Sequence, residues 1–212
     1  MRHLFLLFTA FLLAACTQTA SVETAQTEAP KAAEAARDFV EGRDYRRLEQ
    51  TIEGAPEVIE LFYYGCRACY HLTDELDDWS RDQKITLSLV PAHGQNHLVD
   101  GARLFHTLGV LGRLDLHRDA YVLFQEPSEL EGQDRINAML DVQGVAREDF
   151  WNTWSSDAVN ERLAGSYQLT SLAGVQSTPS FIVQGKYVVE FGVIDGSEGL
   201  LSLLEHLVKA GE

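Results

Sequence analysis

Residues 57–69 read Glu57-Val58-Ile59-Glu60-Leu61-Phe62-Tyr63-Tyr64-Gly65-Cys66-Arg67-Ala68-Cys69. Val58, Glu60, Phe62 and Tyr64 alternate with Ile59, Leu61 and Tyr63, so an extended segment over 57–64 is apolar on both faces apart from Glu60. A strand apolar on both faces is buried on both, which places it in the middle of a sheet. Gly65 breaks the strand and a helix follows. Cys69, Leu72, Leu76 and Trp79 recur at helical spacing, with Asp74, Glu75, Asp77 and Asp78 on the outer side.

Further along, Ile85, Leu87 and Leu89 alternate within 84–90 and predict a second strand. From 98 to 172 the pattern is helical, with Ser128-Glu129-Leu130-Glu131 and Ala146-Arg147-Glu148-Asp149 as starts of separate helices. Strand character returns at 180–183 and 187–191, joined by the tight turn Gln184-Gly185-Lys186. Leu200, Leu203, Leu204, Leu207 and Val208 form the apolar stripe of a closing helix. Without the helical block the order is β-α-β-β-β-α. The predicted class is α/β: a thioredoxin-like fold over 39–97 and 173–212, with an inserted helical domain over 98–172.

Cys66 and Cys69 stand three apart on a first helical turn, on one face and within reach of a disulfide. A helix N-terminus offers free N–H donors and a partial positive charge, so a thiolate at Cys66 is stabilised there. Arg67 adds a full charge. Cys69 lies one turn inward and is expected to be the more buried. An outer sulfur that attacks or leaves and an inner one that resolves the mixed disulfide suit thiol–disulfide exchange. Two other readings stand beside it. Cys66, Cys69 and His71 are possible zinc ligands, although no second Cys-x-x-Cys exists and His71 is only two residues from Cys69. The pair is also compatible with an inert structural disulfide. Glu60 is costly to bury ionised, so its carboxyl is expected to hold its proton unless it reaches solvent at a sheet edge.

At the N-terminus, Arg2, an apolar stretch over 4–13 and Leu13-Ala14-Ala15-Cys16 read as an export signal. The stretch is too short to span a bilayer, which takes roughly 20 residues. Its end resembles the lipobox of bacterial lipoproteins, which implies a signal peptide over 1–15 and lipid attachment at Cys16. An ordinary signal peptide with a nearby cysteine is the alternative. Residues 16–38 then form the lipidated cysteine and a flexible tether, with a short helix possible within 31–40. The chain carries 17 Lys+Arg against 32 Asp+Glu, a formal net charge of −15. That balance argues against nucleic-acid binding, which needs basic patches, and against docking of the protein surface on anionic lipid.

Residues 59–70, Ile-Glu-Leu-Phe-Tyr-Tyr-Gly-Cys-Arg-Ala-Cys-Tyr, resemble the active-site strand and helix of the DsbA family of thiol:disulfide interchange proteins. Residues 177–187, Ser-Thr-Pro-Ser-Phe-Ile-Val-Gln-Gly-Lys-Tyr, resemble that family's cis-proline loop and hairpin. Gly54-Ala55-Pro56-Glu57-Val58 and Phe150-Trp151-Asn152 add weaker matches, and the similarity runs from about 45 to 192. The resemblance implies a cis Thr178-Pro179 bond beside Cys66, with Thr178 backbone groups free to pair with an extended substrate. Taken alone, Ser177-Thr178-Pro179-Ser180 would pass for an ordinary turn. The resemblance also implies that Glu60 relays protons beneath Cys69, and that no cofactor or metal is needed. It implies a monomer, exported thiol proteins as substrates and a DsbB-like membrane quinone reductase as oxidant, on the periplasmic side of a bacterial membrane. The chain departs from the family in carrying Arg67-Ala68 where Pro-His is usual, and Thr178 where an aliphatic residue is common. Both changes bear on redox potential. A membrane-anchored reductase or isomerase on the same fold is therefore the nearest rival, and a binding or chaperone lipoprotein with a structural disulfide the next.

Overall fold

The computed structural model of this chain describes residues 38–94 and 98–211. The signal sequence over 1–15, Cys16 and the tether up to residue 37 lie outside the described residues, as does most of the helix expected within 31–40. Residues 38–40 carry no helix.

Among the described residues, five strands form one mixed sheet in the order β1-β5-β4-β2-β3. These are β1 (Arg46–Arg47), β2 (Val58–Phe62), β3 (Leu87–Pro91), β4 (Ser180–Val183) and β5 (Tyr187–Glu190). The helices are α1 (Arg67–Gln83), α2 (Val99–Val110), α3 (His117–Gln125), α4 (Gly132–Val142), α5 (Arg147–Trp154), α6 (Asp157–Ala173) and α7 (Gly196–Gly211). β2 runs parallel to β3 and antiparallel to β4, with Glu60 opposite Leu89 on one side and Phe181 on the other. It is the buried central strand that its two apolar faces require: all five residues are buried.

Each face of the sheet has its own cluster. Val58, Phe181 and Val183 pack against Leu72, Leu76 and Trp79 of α1 and the leucines of α7. Ile59, Leu61 and Ile182 pack against Ala173 of α6 on the other face. A third cluster joins the end of β2 to the helical block. There Phe62, Tyr64 and Cys69 meet Leu104 and Leu108 of α2, Tyr121 of α3, Leu140 of α4 and Phe150 of α5. Each fully buried side chain of this kind contributes about 1.5–3 kcal/mol. α2, α3, α4 and α5 therefore converge on the turn that carries the two cysteines.

Several boundaries differ from the sequence reading. The second strand begins at Leu87, not at residue 84. Lys84 instead closes α1 in the left-handed conformation (φ 58°), its N–H bonded to the carbonyls of Arg81 and Ser80, and pairing with β2 starts only at Leu87. α4 starts at Gly132, not at Ser128, whose hydroxyl accepts from Leu130 N in the preceding loop. β5 ends at Glu190, and Phe191–Val193 turn into a 3₁₀ helix. β1 has no alternating apolar signal. Two arginines become a strand because they pair with Val188 and Tyr187.

Candidate active site

The cysteine pair sits where β2 ends. Cys66 N donates to Tyr63 O at 2.8 Å, and the chain turns through Gly65 into α1. A side chain at Gly65 would collide with the Tyr63 ring, its Cβ 2.5 Å from the nearest ring carbon. Cys66 is the N-cap of α1 (φ −82°, ψ 110°), and its Sγ accepts from Cys69 N at 3.1 Å. Sulfur thus takes the capping place usually held by a serine or aspartate oxygen, against helix N–H groups that have no other partner. Cys66 and Cys69 are joined in a disulfide, their Cα atoms 5.3 Å apart. Cys69 is wholly buried, whereas Cys66 is partly exposed. Arg67 and His71 are exposed, and Ala68 is half-buried beside them.

The loop before β4 closes over the pair. Thr178-Pro179 is a cis peptide bond, and the Thr178 carbonyl oxygen lies 3.3 Å from Cys66 Sγ. Pro179 is buried and Thr178 half-buried. Ser180 Oγ donates to Ser177 O at 2.8 Å, which ties the loop to the first residue of β4.

Glu60 lies on the face of β2 shared by Val58, which packs on α1, and Phe62, which joins the cluster holding Cys69. It is 3% exposed, and its Oε1 has no hydrogen-bond partner among the described residues. Burial in this apolar layer, with the negative charge of Asp77 adding to it, pushes the carboxyl pKa up to about 8. At neutral pH Glu60 is a buried, proton-bearing acid.

Three contacts that no sequence pattern announced come from α3. Gln125 Nε2 donates to Tyr64 O at 3.1 Å and to Cys66 O at 3.3 Å. His117 Nδ1 and Tyr64 Oη lie 3.0 Å apart, and burial pulls the imidazole pKa down to about 4, so this ring is neutral. Arg118 covers the Tyr70 ring at 4.7 Å and pairs with Asp74 at 2.8 Å. All three bind the redox turn or the first turns of α1 from residues about 50 positions away in sequence, where periodicity carries no information.

A profile of the DSBA-like thioredoxin domain matches residues 66–208, more than half the chain. The chain belongs to the DsbA-like thioredoxin family. It is accordingly a thiol:disulfide oxidoreductase with a thioredoxin-like fold. Among curated relatives, the thiol:disulfide interchange protein DsbA of Pseudomonas aeruginosa is 28% identical over 188 residues, covering 81% of this chain and 85% of the relative. DsbA of Pseudomonas syringae pv. tomato is 29% identical over 192 residues, 83% of this chain and 86% of the relative. An uncharacterised protein of Haemophilus influenzae is 30% identical over 182 residues, 80% and 77%. The crystal structure of Pseudomonas aeruginosa DsbA superposes with a TM-score of 0.73 at 26% identity, covering 81% of this chain and 94% of that one. DsbA of Xylella fastidiosa, at 24% identity and a TM-score of 0.70, shares the fold.

Proposed function

We propose that this chain oxidises pairs of thiols in exported proteins, with Cys66 as the exchanging sulfur, Cys69 as the resolving one and Glu60 as the proton relay. The observation that carries this reading is the partly exposed Cys66 at the N-terminus of α1, its Sγ 3.3 Å from the Thr178 carbonyl and bonded to a buried Cys69. A substrate thiolate attacks Cys66 Sγ. The Cys66–Cys69 bond breaks, its electron pair goes to Cys69, and the proton of Glu60 neutralises that buried sulfur. The second substrate thiolate attacks the substrate sulfur of the mixed disulfide and expels the Cys66 thiolate. The substrate has lost two electrons and the Cys66–Cys69 pair has gained them. The leaving thiolate is held by Cys69 N–H and the helix terminus, with Arg67 next to it. The backbone of Thr178 supports binding of an extended substrate segment across the pair.

The setting of this chemistry belongs to the same proposal. Residues 1–15 are the signal peptide, Cys16 carries the lipid, and 16–38 tether the thioredoxin-like domain (39–97 and 173–212, with 98–172 inserted) to the periplasmic side of a bacterial membrane. The protein works as a monomer, without metal or cofactor, and a DsbB-like quinone reductase reoxidises it. Arg67-Ala68 and Thr178 favour a second reading, a reductase or isomerase on the same fold, because the thiolate lacks a neighbouring histidine. The equilibrium of the full-length protein with glutathione separates the two. A potential of about −120 mV supports the oxidase, and one of about −250 mV or lower overturns it in favour of the reductase.

A further inference from the structure

Gln125 is the last residue of α3, half-buried, and its amide reaches from the helical block to the turn between β2 and α1. Both of its partners, Tyr64 O and Cys66 O, are carbonyl oxygens, which accept and never donate. The amide orientation is therefore dictated: only the NH₂ end, with its two hydrogens, serves both. Cys66 O is at the same time the acceptor of the first α1 bond, from Tyr70 N at 3.2 Å. Gln125 thus grips the residue before Gly65 and the residue after it, and shares an acceptor with the helix whose terminus faces the sulfur.

We infer that Gln125 is a positioning residue that favours the reduced form of the pair by holding the Cys66 backbone at the head of α1; this rests on the redox reading above. In the oxidised protein the Cys66–Cys69 bond itself fixes Cys66 against its own helix. Once that bond opens, Cys66 is kept in the N-cap place by its Sγ on Cys69 N–H, its own N–H on Tyr63 O, the helix bond to its carbonyl and the Gln125 bond to that carbonyl, while the second Gln125 bond holds the neighbouring Tyr64 carbonyl. Removing the amide costs the reduced form more than the oxidised form. The equilibrium moves toward the disulfide, and the thiolate of Cys66 becomes harder to form.

The test uses the full-length protein in detergent, with Gln125→Met, which keeps volume and loses the donor, and Gln125→Glu, which keeps shape and sets a carboxylate against two carbonyls. Circular dichroism confirms that each variant is folded. The redox equilibrium with glutathione and the ultraviolet titration of the Cys66 thiolate are then measured. Because the amide bonds are present with the disulfide closed, the net worth of a hydrogen bond sets the upper bound on the difference, and Gln125→Met is expected to shift the equilibrium toward the disulfide by about twofold and at most about tenfold. Gln125→Glu shifts further, and the thiolate titration rises in parallel in both. Tenfold corresponds to about 30 mV. Variants that exchange normally, with equilibrium and titration unmoved while the melting temperature falls, make Gln125 a purely structural tie and overturn the inference. A parent protein that does not equilibrate with glutathione overturns the redox reading itself, and this inference with it.

Discussion

Glu60 shows what a single residue costs and supplies. Its folded pKa of about 8 stands above the ordinary value of 4.5. Between pH 4.5 and 8 the unfolded chain therefore releases a proton that the folded chain keeps. Stability falls as pH rises through that window, and at pH 7 the loss is of order 3 kcal/mol. Glu60→Gln removes the titration. The variant is expected to melt close to the parent near pH 4.5 and above it at pH 7, with the gap widening to pH 8. Parallel melting curves at all pH values would refute burial of an ionisable Glu60. In thiol exchange the same variant is expected to slow the step that protonates or deprotonates Cys69, and to flatten the pH profile around 8. The two sulfurs separate by role: Cys66→Ala abolishes exchange, whereas Cys69→Ala accumulates covalent adducts with substrate thiols, visible on non-reducing gels. Free turnover by Cys66→Ala would return the pair to a structural disulfide.

At the scale of elements, α1 and α6 both end on a left-handed residue, Lys84 and Gly174, each with φ 58°. Glycine adopts that conformation freely and an L side chain does not. Lys84→Gly is expected to stabilise the protein by about 0.5–1 kcal/mol, and Gly174→Ala to destabilise it by about 1 kcal/mol, read from chemical denaturation. The hairpin turn is stricter. Gly185 has φ 60°, and a Cβ there would sit 2.3 Å from Ile52 O, a backbone atom that cannot swing aside. Gly185→Ala is expected to cost more than either cap change. A milder effect than Gly174→Ala would show that the loop holding Ile52 yields.

For the whole molecule, the sign of the redox pair decides which form is the more stable. A disulfide closing so short a loop stabilises by about 2 kcal/mol. A Cys66 thiolate held at the helix terminus stabilises the reduced form instead, by about 1.4 kcal/mol for each unit by which its titration falls below that of a free thiol. An oxidase is thus expected to melt higher reduced than oxidised at pH 7, with the difference shrinking as pH falls through the folded thiolate pKa. The opposite order by calorimetry identifies the reductase. The central strand, the helix beginning at the cysteines and the stripe of α7 were legible in the chain, because burial on both faces of a strand or along one face of a helix leaves a short-range period. The pair and its companion loop were legible as motifs: the sulfurs and the proline are rare residues in recognisable neighbourhoods. Lys84 as a cap, the two-residue β1 and the three contacts of α3 left no local trace. Each depends on a partner far along the chain. Gln125 is one glutamine among several until folding carries α3 against the carbonyls of Tyr64 and Cys66. Local composition determined which segments were buried and where the sulfurs stood; only tertiary packing decided which side chains hold them, since hydrogen-bond geometry is a property of distance in space and not of order along the chain.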